Sequence, residues 1–154
     1  MITYRKATTH DYEALAKIRM DNMEKYMNDA TDESKINLFE NIKIYFRDNL
    51  SDGSLVTWLA CDGNNIVSTS GLTFFSVTPS ITNIKGKQGY ITNMYTYPEY
   101  RCQGIGSKLF ELTVLEAEAH GCERIVLYKT SMAENIYKNY GFEDSIGYMT
   151  FKPS

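Results

Sequence analysis

The sequence lacks the residues that build covalently stapled or metal-bound scaffolds. Its 154 residues hold three cysteines, Cys61, Cys102 and Cys122, an odd number at wide spacing that makes neither a disulfide framework nor a metal-ligand pattern. Only two histidines, His10 and His120, are present, so neither a zinc site nor any other metal is expected. No basic run exists, and 16 Lys and Arg face 19 Asp and Glu for a net charge of −3. The positive stripe that releases counterions from nucleic-acid phosphates is missing, so no nucleic-acid partner is expected. The mild acidity suits a cationic partner such as an amine. No apolar run approaches the ~18–20 residues of a membrane span. The first residues, MITYRKATTHDY, turn polar at once, unlike a signal peptide. The expectation is a cytoplasmic protein with no membrane partner; a homodimer is left open.

What is present is the composition of a globular domain. Hydrophobic residues make up 43% and charged residues 23%, near the soluble average. A chain of this length buries roughly 68–70% of its unfolded surface. No repeat, low-complexity tract or linker divides residues 1–154, which read as a single domain. Ile2–Arg5 reads as a short strand. Thr8 and Asp11 fit a capping box at a helix start, and Ala16, Met20, Met23 and Met27 recur at helical spacing. Thr31 or Asp32 caps a second helix whose apolar stripe is Leu38, Phe39, Ile42, Tyr45, Phe46 and Leu50, with Ser51-Asp52-Gly53 as its stop.

The middle of the chain changes character. Leu55–Cys61 and Ile66–Val77 read as strands joined by the hairpin signal Asp62-Gly63-Asn64-Asn65. Thr78–Gln88 reads as a loop, and Gly89–Tyr97 as a third strand ended by Pro98. Ile105–His120 is strongly helical, with Ile105, Leu109, Leu112 and Leu115 inward and Glu111, Glu116 and Glu118 mostly outward. His120 and Gly121 suit its C-terminal end. Ile125–Tyr128 is a short strand, Met132–Tyr140 a short helix stopped by Gly141, and Ile146–Phe151 a last strand. The order β-α-α-β-β-β-α-β-α-β predicts an α/β fold, a mixed twisted β-sheet flanked by helices.

The chemistry is concentrated between Gly89 and Ser107. A strand feeds a tight turn, and the turn opens a helix whose first amides have no intrahelical acceptor and can converge on one anion. Gly104 and Gly106 carry no Cβ, which lets the backbone approach a phosphate and take unusual dihedrals. Arg101 adds a charge-assisted donor. A dinucleotide fingerprint would need a glycine where Leu109 stands, and Gly106-Ser107-Lys108 is not a Walker A loop. The turn Arg101–Ser107 is therefore read as the holder of a cofactor diphosphate.

Two motifs then carry a resemblance to the GCN5-related N-acetyltransferase superfamily. Tyr97-Pro98-Glu99-Tyr100-Arg101-Cys102-Gln103-Gly104-Ile105-Gly106 matches the family's Pro-x-x-Arg-x-x-Gly-x-Gly acetyl-CoA loop. Ala133-Glu134-Asn135-Ile136-Tyr137-Lys138-Asn139-Tyr140-Gly141-Phe142 resembles its Ala-x-x-apolar-Tyr-x-x-x-Gly-Phe helix. The close likeness covers roughly Gly89 to Phe142. It implies the acyl-CoA N-acyltransferase fold and acetyl-CoA as cosubstrate, with no metal. The implied reaction is acetyl transfer to a primary amine, on a small molecule or a peptide, by direct attack in a ternary complex. The alternative is a non-catalytic acyl-CoA-binding or sensing module.

By the same resemblance, the fourth and fifth strands splay to admit the pantetheine arm, which backbone groups of Met94, Tyr95 and Thr96 meet. The amides of Arg101, Cys102, Gln103, Gly104, Ile105, Gly106 and Ser107 hold the diphosphate. A backbone amide near Tyr95 polarises the thioester carbonyl, and Tyr137 is the general acid toward the departing thiolate. The base is open. Family members often place a carboxylate on the fourth strand, but Tyr90-Ile91-Thr92-Asn93 offers none. Asp21 or Glu24 on the first helix, ordered water, or capture of an already neutral amine all fit. Met20, Met23, Tyr26, Met27 and Tyr45 either line an acceptor pocket or pack in the core.

Overall fold

One inner strand of the sheet is buried on both faces. In β2 (Leu55–Asp62), Leu55, Leu59 and Cys61 join one core cluster with Leu15, Ala16 and Phe46, while Ala60 joins another with Val67, Ile105 and Leu109. Successive side chains of a strand point to opposite faces, so this sequence needs a helical layer on each side. The computed structural model, which describes every residue except Ile146, Tyr148 and Ser154, shows that arrangement. Strands β1 (Ile2–Lys6), β2, β3 (Asn65–Ser76), β4 (Lys87–Thr96) and β5 (Arg124–Leu127) lie in chain order in one sheet. The first three pairings are antiparallel and the last, β4 with β5, is parallel. Helices α1 (Tyr12–Met23) and α2 (Asp32–Asp52) cover one face, and α3 (Ile105–Ala119) and α4 (Glu134–Tyr140) the other. This is the expected mixed sheet flanked by helices. Among the described residues no helix is long and apolar enough to cross a membrane.

Local signals translate into local structure where the chemistry is short-range. Asp62 pairs with Asn65, leaving Gly63 (φ 58°) and Asn64 as the hairpin loop. Thr31 caps α2, its hydroxyl oxygen accepting from the Ser34 N–H at 3.2 Å. The Asp11 carboxylate accepts from the Thr8 N–H at 2.7 Å and holds the Arg5 fork through two 2.8 Å bonds. That cap opens a 3₁₀ turn, Thr9–Asp11, before α1 begins.

Long-range packing changes three readings. The first helix does not run to Met27: α1 ends at Met23, a 3₁₀ turn follows over Glu24–Tyr26, and the buried side chains are Leu15, Ala16 and Ile18 rather than the methionines. Being wedged between the sheet and α2, α1 buries the face those neighbours share. In α3, Leu115 is 47% exposed while Glu116, expected outside, is 8% exposed. The face that meets the sheet runs through Leu109, Phe110, Thr113, Val114 and Ala117. Glu116 is tolerated beside it because Lys6 Nζ sits 2.7 Å from its carboxylate. Of the expected last strand Ile146–Phe151, Ile146 and Tyr148 lie outside the described residues, and its described residues form no strand.

Phe110 joins α3 to α4. It is fully buried, with ring centroids 5.1 Å from Tyr137, 5.5 Å from Tyr140 and 5.3 Å from Phe142. Phe110→Ala should cost about 3–5 kcal/mol, read in urea unfolding as a lower midpoint at unchanged slope.

Candidate active site

The site begins where strand pairing stops. β4 and β5 pair only from Gln88↔Arg124 to Ile91↔Leu127, yet β4 continues to Thr96. Thr92–Thr96 therefore has no β5 partner. Within that stretch lies a bulge: β3 sets Gly71 against Thr92 and Thr69 against Tyr95, so Ser70 stands opposite both Asn93 and Met94. Asn93 sits at φ 53°, and the extra residue bends the strand as bulges do. Two hydroxyls of β3 pin the bend. Thr69 Oγ1 donates to the Asn93 carbonyl at 2.7 Å, and Ser68 Oγ to the Tyr95 carbonyl at 2.8 Å. Tyr97 N–H donates to the Val67 carbonyl at 3.1 Å, so by alternation the main-chain groups of Thr96 turn away from β3.

After Thr96 the chain spends its local hydrogen bonds and then leaves a gap. Tyr100 N–H donates to the Tyr97 carbonyl and Arg101 N–H to that of Pro98. The next six amides, Cys102 to Ser107, donate to nothing among the described residues, and Lys108 N–H resumes with the Gly104 carbonyl at 3.0 Å. Two left-handed residues, Cys102 at φ 59° and Gly104 at φ 77°, shape the turn. At Gly104 a Cβ would meet no atom within 4 Å; the glycine is there for its backbone angle. Gly106 differs from expectation. It is not among the residues at positive φ, and a Cβ there would lie 3.5 Å from Thr96 Oγ1 and 3.8 Å from Ile136. A Cβ there would make only ordinary contacts, so neither backbone angle nor close packing in the protein alone requires glycine at Gly106. Cys102, without the freedom of glycine, carries left-handed strain of about 1–2 kcal/mol.

Arg101 has a second task. Its Nε donates to the Thr96 carbonyl at 2.9 Å, and its guanidinium lies 5.8 Å from the centre of the Tyr95 ring. The side chain thus ties the turn back to the end of β4, and its terminal N–H groups make no hydrogen bond among the described residues. Gln103 folds back likewise, its Nε2 donating to the Glu99 carbonyl at 3.1 Å. Six open amides at the positive end of a helix, with a guanidinium beside them, can hold a multiply charged anion.

Tyr137 enters from α4, one residue beyond Ile136, whose Cδ1 lies 3.8 Å from where a Cβ on Gly106 would stand. It is 6% exposed and packs with Phe110, Ile91 and Met94. Burial pushes its phenol above the ordinary tyrosine value, and its hydroxyl has no partner among the described residues. A proton is held there that nothing nearby competes for. Asp21 differs: its Oδ2 accepts from the Tyr97 hydroxyl at 2.6 Å and from Lys17 Nζ at 3.1 Å, while its Oδ1 has no partner among the described residues. Glu24 lies exposed in the 3₁₀ turn after α1. Among the described residues no group of three or more His, Cys, Asp or Glu could hold a metal.

On the α1–α2 side of β4 lies a cleft of about 290 Å³, lined by Arg19, Asn41, Tyr45, Thr92 and Asn93 among others. Tyr45 was one of the residues open between pocket and core, and it lines this cleft; Tyr26 is exposed. Arg19 went unnoticed in the sequence because a single arginine on an amphipathic helix looks like any solvated charge.

The family model described as Acetyltransferase (GNAT) family matches residues 13–142, from α1 to just past α4. A predicted acetyltransferase from Clostridium acetobutylicum, crystallised with acetyl-CoA, is 31% identical, with 99% of this chain and 96% of that chain covered and a TM-score of 0.89. A GCN5-related N-acetyltransferase from Ralstonia eutropha JMP134, 23% identical with 100% and 99% covered, has a TM-score of 0.85 and shares the fold. Thialysine N-epsilon-acetyltransferase from Bos taurus is 36% identical over 77 residues, 48% of this chain and 43% of that protein. That from Mus musculus is 34% identical over 73 residues, 44% and 43%. The match spans less than half the length of these curated relatives.

Amide exchange should expose the break in hydrogen bonding directly. In the protein alone, Cys102–Ser107 should exchange fast and Leu109–Ala117 slowly; protection at Cys102–Ser107 equal to that of the helix would contradict the geometry.

Proposed function

The chain belongs to the acetyltransferase (GNAT) family, and from that membership we propose that it moves an acetyl group from acetyl-CoA to a primary amine, on a small molecule or a peptide. The observation that carries this reading is the run of open amides from Cys102 to Ser107 at the head of α3. The diphosphate of a coenzyme matches them in charge and in need of donors. In this reading the main-chain N–H groups of Cys102, Gln103, Gly104, Ile105, Gly106 and Ser107 bind that diphosphate, and Arg101, whose own N–H donates to the Pro98 carbonyl, contributes its terminal guanidinium N–H groups instead. Met94, Tyr95 and Thr96 flank the pantetheine arm at the unpaired edge of β4. The carbonyls of Tyr95 and Thr96 already accept from Ser68 Oγ and Arg101 Nε. The Thr96 N–H, turned away from β3, is then the main-chain donor best placed to meet the arm. The acetyl-CoA held by the Clostridium relative and the names of the two mammalian relatives support the same donor and an amine acceptor.

Bound acetyl-CoA supplies an activated thioester, open to direct attack by an amine in a ternary complex. Tyr137 supplies the proton for the departing sulfur. Its burial keeps the hydroxyl protonated at neutral pH, and proton transfer of this kind contributes about 10²–10⁴-fold. Phe110 and the neighbouring apolar cluster hold the ring in place. Asp21, already accepting from Tyr97 and Lys17, is better described as a tie between α1 and the end of β4 than as a base.

Two substitutions test the two halves of this reading. Gly104→Val forces a β-branched residue to φ 77°, a strain of about 1–3 kcal/mol. It should weaken acetyl-CoA binding about tenfold or more in calorimetry, and an unchanged Kd would remove the turn from the binding site. Tyr137→Phe should lower kcat at least about tenfold and leave acetyl-CoA affinity unchanged. Because the phenol titrates above its ordinary value, it should impose no alkaline loss on the wild-type kcat below pH ~10. A fully active phenylalanine variant would return Tyr137 to packing.

A further inference from the structure

Arg19 is a half-buried cation with no acidic partner. Burial disfavours its charge, and the groups that oppose this are the phenol oxygens of Tyr90 and Tyr45. Asp21, two residues along α1, is committed to Lys17 and Tyr97, and no carboxylate pairs with Arg19 among the described residues. A charge partly withdrawn from water and left without a counter-charge carries part of its desolvation cost. Arg19 nevertheless lines the wall of the 290 Å³ cleft between α1, α2 and β4. In that cleft it is joined by a second unmet group. Asn93 Oδ1 is buried with no hydrogen-bond partner, and Asn93 sits on the bulge at the unpaired edge of β4. Native proteins rarely leave such an acceptor unsatisfied without a reason.

A lone guanidinium fork and a lone buried acceptor in one cleft ask for a ligand with an anion and an N–H donor. The cleft approaches the volume of a small-ligand pocket, so the ligand is of amino-acid size. A single arginine balances a single negative charge, and its planar fork matches the two oxygens of a carboxylate. Taking the amine-acetyltransferase reading above as its basis, we propose that the cleft selects an acceptor bearing a carboxylate as well as an amine, with Arg19 binding the carboxylate. A turn of the Asn93 side chain toward the cleft lets its buried Oδ1 receive an amine N–H next to the open strand edge, where that reading places the thioester. Arg19 takes no part in the chemistry; it determines which amine stays bound.

The test measures binding separately from turnover. Calorimetry on the CoA-saturated protein compares amines with their decarboxylated partners: L-lysine with cadaverine, and β-alanine with ethylamine. The carboxylated member should bind at least about tenfold more tightly, the factor expected of a charge-assisted pair. Arg19→Gln should remove that preference and leave CoA affinity unchanged, while Arg19→Lys should retain part of it. Equal affinities within each pair, no binding by any of them, or a preference that survives Arg19→Gln would overturn the proposal. Tighter binding of phosphoethanolamine than of β-alanine would also overturn it, in favour of a phosphate. Acetylation of the same amines, followed by thiol release, is a separate readout. Arg19-dependent binding without turnover would uphold this inference and count against acetyl transfer.

Discussion

A parallel strand pair that ends early governs this molecule. β4 and β5 part after Ile91 and Leu127, leaving the last residues of β4 with an edge that no strand covers. Such an edge is a liability unless something occupies or blunts it. The bulge at Asn93 and Met94 bends it, Ser68 and Thr69 fasten the bend from β3, and Arg101 covers the Thr96 carbonyl. Each of these contacts spends a polar group on holding the edge open.

The glycine turn depends on that edge being rigid. Six main-chain donors are useful to a ligand only if they stay pointed in one direction, and main chain without internal hydrogen bonds is the part most free to move. Here the turn is held at both ends, by Arg101 Nε on the Thr96 carbonyl and by Lys108 N–H on the Gly104 carbonyl. Thr96 and Ile136 line the space beside Gly106. Tyr137 follows Ile136 on α4, and Phe110 packs against its ring with centroids 5.1 Å apart. Donor array and buried phenol are two results of one packing arrangement between α3, α4 and β4.

Much of the fold was legible in the sequence. The hairpin at Gly63, the cap at Thr31 and the turn at Gly104 each depend on residues within a few positions of one another, so spacing reveals them. Family membership was legible in the two motifs around Arg101 and Tyr137. The errors fall where burial is decided by remote partners. Leu115 and Glu116 exchange their expected places because the sheet selects the face through Leu109, Thr113 and Ala117, and Lys6, more than a hundred residues earlier, compensates the Glu116 carboxylate. Arg101 was read only as an anion donor because nothing in its neighbours' letters announces that its Nε will meet the Thr96 carbonyl.

By itself, then, the sequence determined the order of elements from β1 to α4, the unbonded amides of the turn and the placement of Tyr137 on the last helix, since these follow from short-range backbone geometry and local motifs. Only the tertiary structure decided that β4 outruns β5, that Asp21 meets Tyr97 and Lys17, and that the side chains of Arg19 and Asn93 share one cleft without partners among the described residues. Those facts are relations between atoms brought together by packing from α1, α2 and β4. An unpaired charge or an unmet acceptor is defined by what fails to lie near it in space, which no run of adjacent letters records.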